Sequence, residues 1–120
     1  MSYIKNRKNA FGYAFSGLWQ ALKKEAHIKI HFLAAILVVS AGFYFNISSI
    51  EWICISGCVA FVFCLEIVNT AIERLCDMVT TEQHPSIKYI KDVSAGAVLI
   101  ACVFAVITGL IIFLPYILKD

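Results

Sequence analysis

The sequence predicts an all-α integral membrane protein: an N-terminal amphipathic surface helix followed by three transmembrane helices, in one domain spanning 1–120. Three observations lead there. The chain is 61% hydrophobic and 15% charged, well above the near-half apolar content of soluble domains. Three stretches, 30–50, 52–72 and 93–118, exceed or match the roughly 20 apolar residues that cross a hydrocarbon core, and Glu66 is the only charged residue inside them. Lys and Arg are distributed asymmetrically around these stretches. Lys5, Arg7, Lys8, Lys23, Lys24 and Lys29 precede the first, and Arg74, Lys88 and Lys91 lie between the second and third. The link NISSIE between the first two has none, and the C-terminus has only Lys119. Positive residues mark the cytoplasmic side, which places the N-terminus and the second link inside and the C-terminus outside.

The same distribution argues against a nucleic-acid partner, because the basic residues flank membrane spans. The formal net charge of +2 adds little to it. A cleaved signal peptide does not fit the first apolar run: it starts too late, and an amphipathic stretch precedes it instead of a short basic segment. The cysteines Cys54, Cys58, Cys64, Cys76 and Cys102 form no CxxC pair. They read as small apolar residues of helices, not as redox or metal centres.

The surface helix is expected over about 5–26. Phe11, Ala14, Phe15, Leu18 and Leu22 recur at helical spacing on one face, with Asn9, Tyr13, Ser16, Gln20, Lys23 and Lys24 opposite. Basic residues beside an aromatic-rich stripe suit a helix lying on the inner leaflet, or one packed on the transmembrane bundle. Continued through EAHIKIH, the helix brings Glu25 to the angles of Leu18 and Leu22, where a carboxylate needs a cationic or metal partner. His27 and His31 are four apart and share a face, but HExxH is absent and no third ligand is evident, so interfacial residues are the better reading. The first span is expected over about 28–47, with an outer turn at Asn46–Ser49, the second over about 50–75 and the third over about 91–117. The polar inner link TTEQHPSIKYIKD contains Pro85 and holds a turn and the start of the third helix.

The second span raises a specific question. In EIVNTAIERLCD, residues Glu66, Asn69, Glu73 and Asp77 stand at offsets 0, 3, 7 and 11. On a helix that spacing gathers all four within a sector of about 80°, with Glu66 roughly 10 Å deeper than Glu73. Ile67, Val68, Ile72 and Leu75 lie away from this seam. A charge at membrane depth costs about 2.5–3.5 kcal/mol even on the lenient scale. Three readings compete. The seam is an inter-helix packing contact with Asn69 as glue, or Glu66 is the coupling carboxylate of a small oligomeric transporter, or the deep carboxylate is a general base with shallower ones on a divalent metal. The third span opens with Lys91 and Asp92 at the same boundary, and Ser94, Ala95, Gly96 and Ala97 allow close helix approach. A lysine beside acidic ligands suits a nucleotide phosphate better than a bare cation. No glycine-rich phosphate loop is present: Gly12 and Gly17 have the outer spacing of one, but Leu18 and Trp19 follow.

AFGYAFSGLWQALKKEAHIKIH, EIVNTAIERLCD and IKDVSAGAVLIA together resemble the small prokaryotic diacylglycerol kinase family, which includes bacterial undecaprenol kinases, over nearly the whole chain. The resemblance implies a homotrimer in the bacterial inner membrane, with composite sites at the cytoplasmic boundary. It implies transfer of the ATP γ-phosphate to a primary hydroxyl of a lipid, diacylglycerol or undecaprenol, with Mg²⁺ required. Glu66 then matches the catalytic base, with Asn69 orienting the base or the lipid hydroxyl. Glu25 and Glu73 match the carboxylates that hold Mg²⁺ on the nucleotide. Tyr13, Asp77, Glu82, Gln83, His84, Lys91 and Asp92 match positions around the nucleotide, with Lys91 on its phosphates. Two departures stand out. Asn6 occupies the place of an arginine that contacts nucleotide in some members, with Arg7 beside it as a substitute. His31 replaces an acidic residue of diacylglycerol-type members, and IKIH resembles the undecaprenol-kinase branch.

Overall fold

The structure, a computed structural model, describes residues 7–119, with side chains from Asn9 onward. The Asn6 and Arg7 side chains therefore lie outside the described residues. Four helices follow in order: α1 (Arg7–Lys24), α2 (Ala26–Phe45), α3 (Ser49–Val79) and α4 (Pro85–Leu118). The last three are each long and apolar enough to cross a membrane. At about 1.5 Å per residue, α3 and α4 reach past a ~30 Å hydrocarbon core. Their polar ends therefore extend beyond it, on the side where α1 lies.

In α1 the aromatic stripe faces outward: Phe11 is 71% and Phe15 69% exposed. The stripe is therefore not covered by the described helices of its own chain. Lys23 and Lys24 in the last turn complement the helix dipole. The helix ends at Lys24, close to the expected end near 26, and does not run on through EAHIKIH. Glu25 adopts an extended conformation (φ −101°, ψ 118°) and serves as the N-cap position of α2. The backbone ladder closes on both sides of it, Glu25 N–H donating to Ala21 and Lys29 N–H to the Glu25 carbonyl. The break costs little backbone pairing.

The α2–α3 turn is built from side-chain chemistry. Asn46 ends α2 in the left-handed region (φ 55°), a conformation asparagine tolerates. Ser48 and Glu51 form a reciprocal capping box, with Glu51 N–H donating to Ser48 Oγ and Ser48 N–H to Glu51 Oε1. Tyr116 Oη donates to the same Glu51 oxygen at 2.6 Å, tying the end of α4 to the start of α3. Beneath this turn lies the apolar core of Ile47, Ile55 and Ile112, flanked by Phe45, Trp52 and Phe113.

Gly42 is placed there by necessity, since a Cβ on it would meet Trp52 Cη2 at 2.6 Å. Replacement by leucine must displace a rigid ring. We expect Gly42→Leu to cost about 1–3 kcal/mol of overpacking, seen as faster heat inactivation in micelles with activity at low temperature preserved.

At the other end, α3 stops at Thr80, and His84 caps α4 by accepting Ser86 N–H on Nδ1, with Pro85 in the first turn. The inner link is thus only residues 80–84, and Lys88, Lys91 and Asp92 already belong to α4. α4 packs most extensively along α3, and α2 covers a second flank of α3.

Candidate functional site

Along α3 the packed positions run Ile55, Cys58, Val62, Glu66, Asn69 and Cys76. This is the 3-4 alternation of a helix face against its neighbours. The acidic seam continues that face, so the residues that line the core deeper down give way to carboxylates nearer the α1 end. Burial falls along it: Glu66 is 5% and Asn69 7% exposed, Glu73 is half-buried and Asp77 exposed.

The partners of these groups divide the site into a deep part and a boundary part. In the deep part, His31 of α2 places Nε2 3.1 Å from Glu66 Oε2. Cys102 of α4 is a further neighbour of Glu66. Asn69 Nδ2 donates to Glu73 Oε1 at 3.0 Å. The other end of the same amide, Oδ1, is buried and has no protein partner among the described residues. A buried acceptor left so is costly and marks a place for a donor or a cation.

At the boundary, Arg74 donates to Glu25 Oε1 at 2.9 Å. The break between α1 and α2 is what allows this: Glu25 answers to a cation on α3. Lys91 Nζ lies 2.7 Å from Asp77 Oδ1 and Lys88 pairs with Asp92. Lys91 and Asp92 thus engage different partners, because adjacent residues on a helix point about 100° apart. Glu73 has no ion pair among the described residues.

Two open clefts flank Asp77. One, of about 580 Å³, lies between the end of α1 and α3 and is lined by Gln20, Lys24, Glu25 and Arg74. The other, of about 590 Å³, lies under the α3–α4 link and is lined by Thr80, Glu82, Gln83, His84, Lys91 and Asp92. The sequence-derived residues therefore fall into three groups. Glu66, Asn69 and Glu73 form one hydrogen-bonded and packed seam. Asp77, Glu82, Gln83, His84, Lys91 and Asp92 share the second cleft, and Glu25 lies in the first. Tyr13 sits exposed on α1 and lines neither. His27 is exposed and does not join His31. Sequence reasoning did not single out Arg74, Lys88 or the His31–Glu66 pair. The signal for the last was present, since His31 falls in register with Ile28 and Val38 on the packed face of α2.

Fold and site define a small polytopic membrane protein whose buried carboxylate seam opens onto polar clefts at one membrane boundary. The chain belongs to the prokaryotic diacylglycerol kinase family, whose model matches residues 12–113. It is 41% identical over 106 residues to the undecaprenol kinase of Bacillus subtilis, covering 88% of this chain and 86% of that one. It is 34% identical over 103 residues to the diacylglycerol kinase of Escherichia coli, covering 86% and 84%. The diacylglycerol kinase of a Synechocystis species is 32% identical over 111 residues, 92% of this chain and 63% of that protein.

Proposed function

We propose that this chain transfers the γ-phosphate of Mg-ATP to the terminal hydroxyl of a membrane polyprenol, with Glu66 as general base. Membership of its family makes it a lipid kinase with ATP as donor; the transporter reading of Glu66 finds no support there. The acceptor, the metal, the residue roles, the orientation and a homotrimeric assembly are the further content of the proposal. The observation that carries it is the burial gradient along one face of α3. A nearly inaccessible carboxylate, Glu66, lies below a half-buried one, Glu73, with cationic and acidic side chains above.

Phosphoryl transfer demands alignment and charge neutralisation more than covalent help from the protein. Glu66 meets the lipid hydroxyl from below, at a depth no dissolved nucleophile reaches, and takes its proton. Asn69 holds Glu73 through Nδ2 and offers its buried Oδ1 to the reacting groups. Lys91, withdrawn from Asp77, puts its ammonium on the phosphates, and the link cleft takes the rest of the nucleotide. The donor set fits Mg²⁺: Glu73 and Glu25 offer hard carboxylate oxygens, and Glu73 has no ion pair among the described residues. Among the described residues no three His, Cys, Asp or Glu side chains form a ready metal cage. That suits an ion that takes one or two carboxylates and completes its shell with phosphates and water. When bound, Mg²⁺ neutralises the charge of the transferring phosphoryl group. Polyprenol is favoured over diacylglycerol because identity is higher to the undecaprenol kinase, 41% against 34%.

Label from γ-labelled ATP should appear in undecaprenyl phosphate in preference to phosphatidic acid when both lipids are offered in micelles with Mg²⁺. Inside-out vesicles should be active and right-side-out vesicles silent. Preferential labelling of diacylglycerol would reverse the acceptor assignment, and activity on right-side-out vesicles the orientation. A subunit count other than three by native mass spectrometry would remove the homotrimer.

A further inference from the structure

We infer that His31 is a positioning residue for Glu66: it fixes one carboxylate oxygen and so aims the other at the lipid hydroxyl. The inference rests on the reading of Glu66 as base and adds a second helix to the machinery.

The packed face of α2 follows a regular alternation through Ile28, His31, Ala35, Val38, Gly42 and Phe45, all buried or half-buried. Five of the six slots hold the apolar or small residues that such a seam calls for. His31 interrupts it at the level of the one fully intramembrane carboxylate, with Nε2 3.1 Å from Glu66 Oε2. Packing on either side sets the register. Ile28, one turn earlier, is 2% exposed, and Phe32 meets Phe63 of α3 edge-on with centroids 6.4 Å apart. The Glu66 side chain is 6% exposed, so little water competes for the contact. The other groups near Glu66 cannot replace it. Asn69 commits its amide nitrogen to Glu73, and Cys102 approaches from α4 only as a further neighbour.

The chemistry gives this contact a task. A hydroxyl oxygen lone pair attacks the γ-phosphorus while the bond to the leaving oxygen breaks, and ADP departs with that electron pair. The hydroxyl proton moves to Glu66. The base must stand within hydrogen-bond reach of that proton, and a carboxylate free to rotate about its last bonds spends most of its time elsewhere. With Oε2 held by His31, Oε1 is the oxygen left to accept.

The test uses the full chain in mixed micelles. His31→Leu keeps the volume and removes the ring nitrogen that faces Glu66; it should lower kcat about 100-fold, the loss expected of a misplaced group. Binding of a fluorescent ATP analogue should stay within about twofold of the native chain, which a general packing defect would not spare. His31→Gln, which restores a side-chain nitrogen of similar reach, should recover to within about tenfold of native. In a Glu66→Gln background His31→Leu should remove nothing further, since one residue acts through the other. A readout independent of turnover is the ¹⁵N resonance of the His31 ring, which should move on Glu66→Gln in the unliganded protein. Near-native kcat in His31→Leu, additive losses in the double variant, or an unmoved His31 resonance would each overturn the inference. Failure of the base reading looks different: Glu66→Gln would itself retain turnover.

Discussion

Glu66→Gln should reduce kcat by about 10³-fold, within the span usual for loss of a general base, while nucleotide affinity stays near native. Glutamine is isosteric and keeps an oxygen at the position that faces His31 Nε2, so the α2–α3 packing survives. What disappears is the capacity to take a proton. Most of the residues proposed for the nucleotide lie elsewhere, in the clefts around Asp77, so binding should be spared. The comparison that decides the role is between the two readouts. A fall in ATP affinity with turnover preserved would move Glu66 from base to binding group. A fall in both, with aggregation in micelles, would mark it as a packing residue of α3. Cost alone argues against the last: a packing contact at that depth is made more cheaply by Ser or Asn than by a carboxylate.

The spans and the seam were legible because each depends on local pattern. Apolar length identifies a membrane helix without reference to anything else, and the offsets of Glu66, Asn69, Glu73 and Asp77 gather them on one face whatever packs there. The outer turn was legible for the same reason, Asn46 and Ser48 being the residues a chain reversal wants. What the pattern hid lies between helices. EAHIKIH contains no glycine or proline, and its periodicity runs straight through Glu25. The surface helix ending near 26 and the first span opening near 28 place a break close to it, but the partner that takes the carboxylate, Arg74, 49 residues on, lies beyond any local pattern. His31 and Glu66 each stood on a legible face, but their meeting depends on the register of two helices, which no single-helix pattern contains. Lys91 and Asp92 invited reading as a unit because they are neighbours in sequence. Helix geometry separates them, and each turns to a partner on its own side. The entry into α4 inside the polar link was legible from Pro85, while the polar composition of its first two turns, which extend past the apolar core, hid how much of the link is helix.

The second large effect is expected at Glu73. Glu73→Gln keeps an oxygen for Asn69 Nδ2, so the α3 seam should hold its geometry, but it removes a half-buried boundary carboxylate that has no ion pair among the described residues. We expect the Mg²⁺ concentration for half-maximal activity to rise at least about tenfold, and kcat at saturating ATP to fall about 100-fold, as the phosphoryl charge is less well neutralised. Mn²⁺, which binds oxygen and nitrogen ligands more tightly than Mg²⁺, should restore part of the loss. Glu25→Gln should do less to the metal dependence, for a reason visible in the resting chain. Glu25 already shares its charge with Arg74, and its loss frees that guanidinium for the phosphates, offsetting part of the metal that is weakened. The two variants thus separate a carboxylate held open for a cation from one that must first exchange a cation. Nucleotide binding measured with and without Mg²⁺ gives the same comparison without turnover. An unchanged Mg²⁺ requirement in Glu73→Gln would detach the metal from α3 and leave Glu25 to hold it, with Arg74 displaced as the first event of binding.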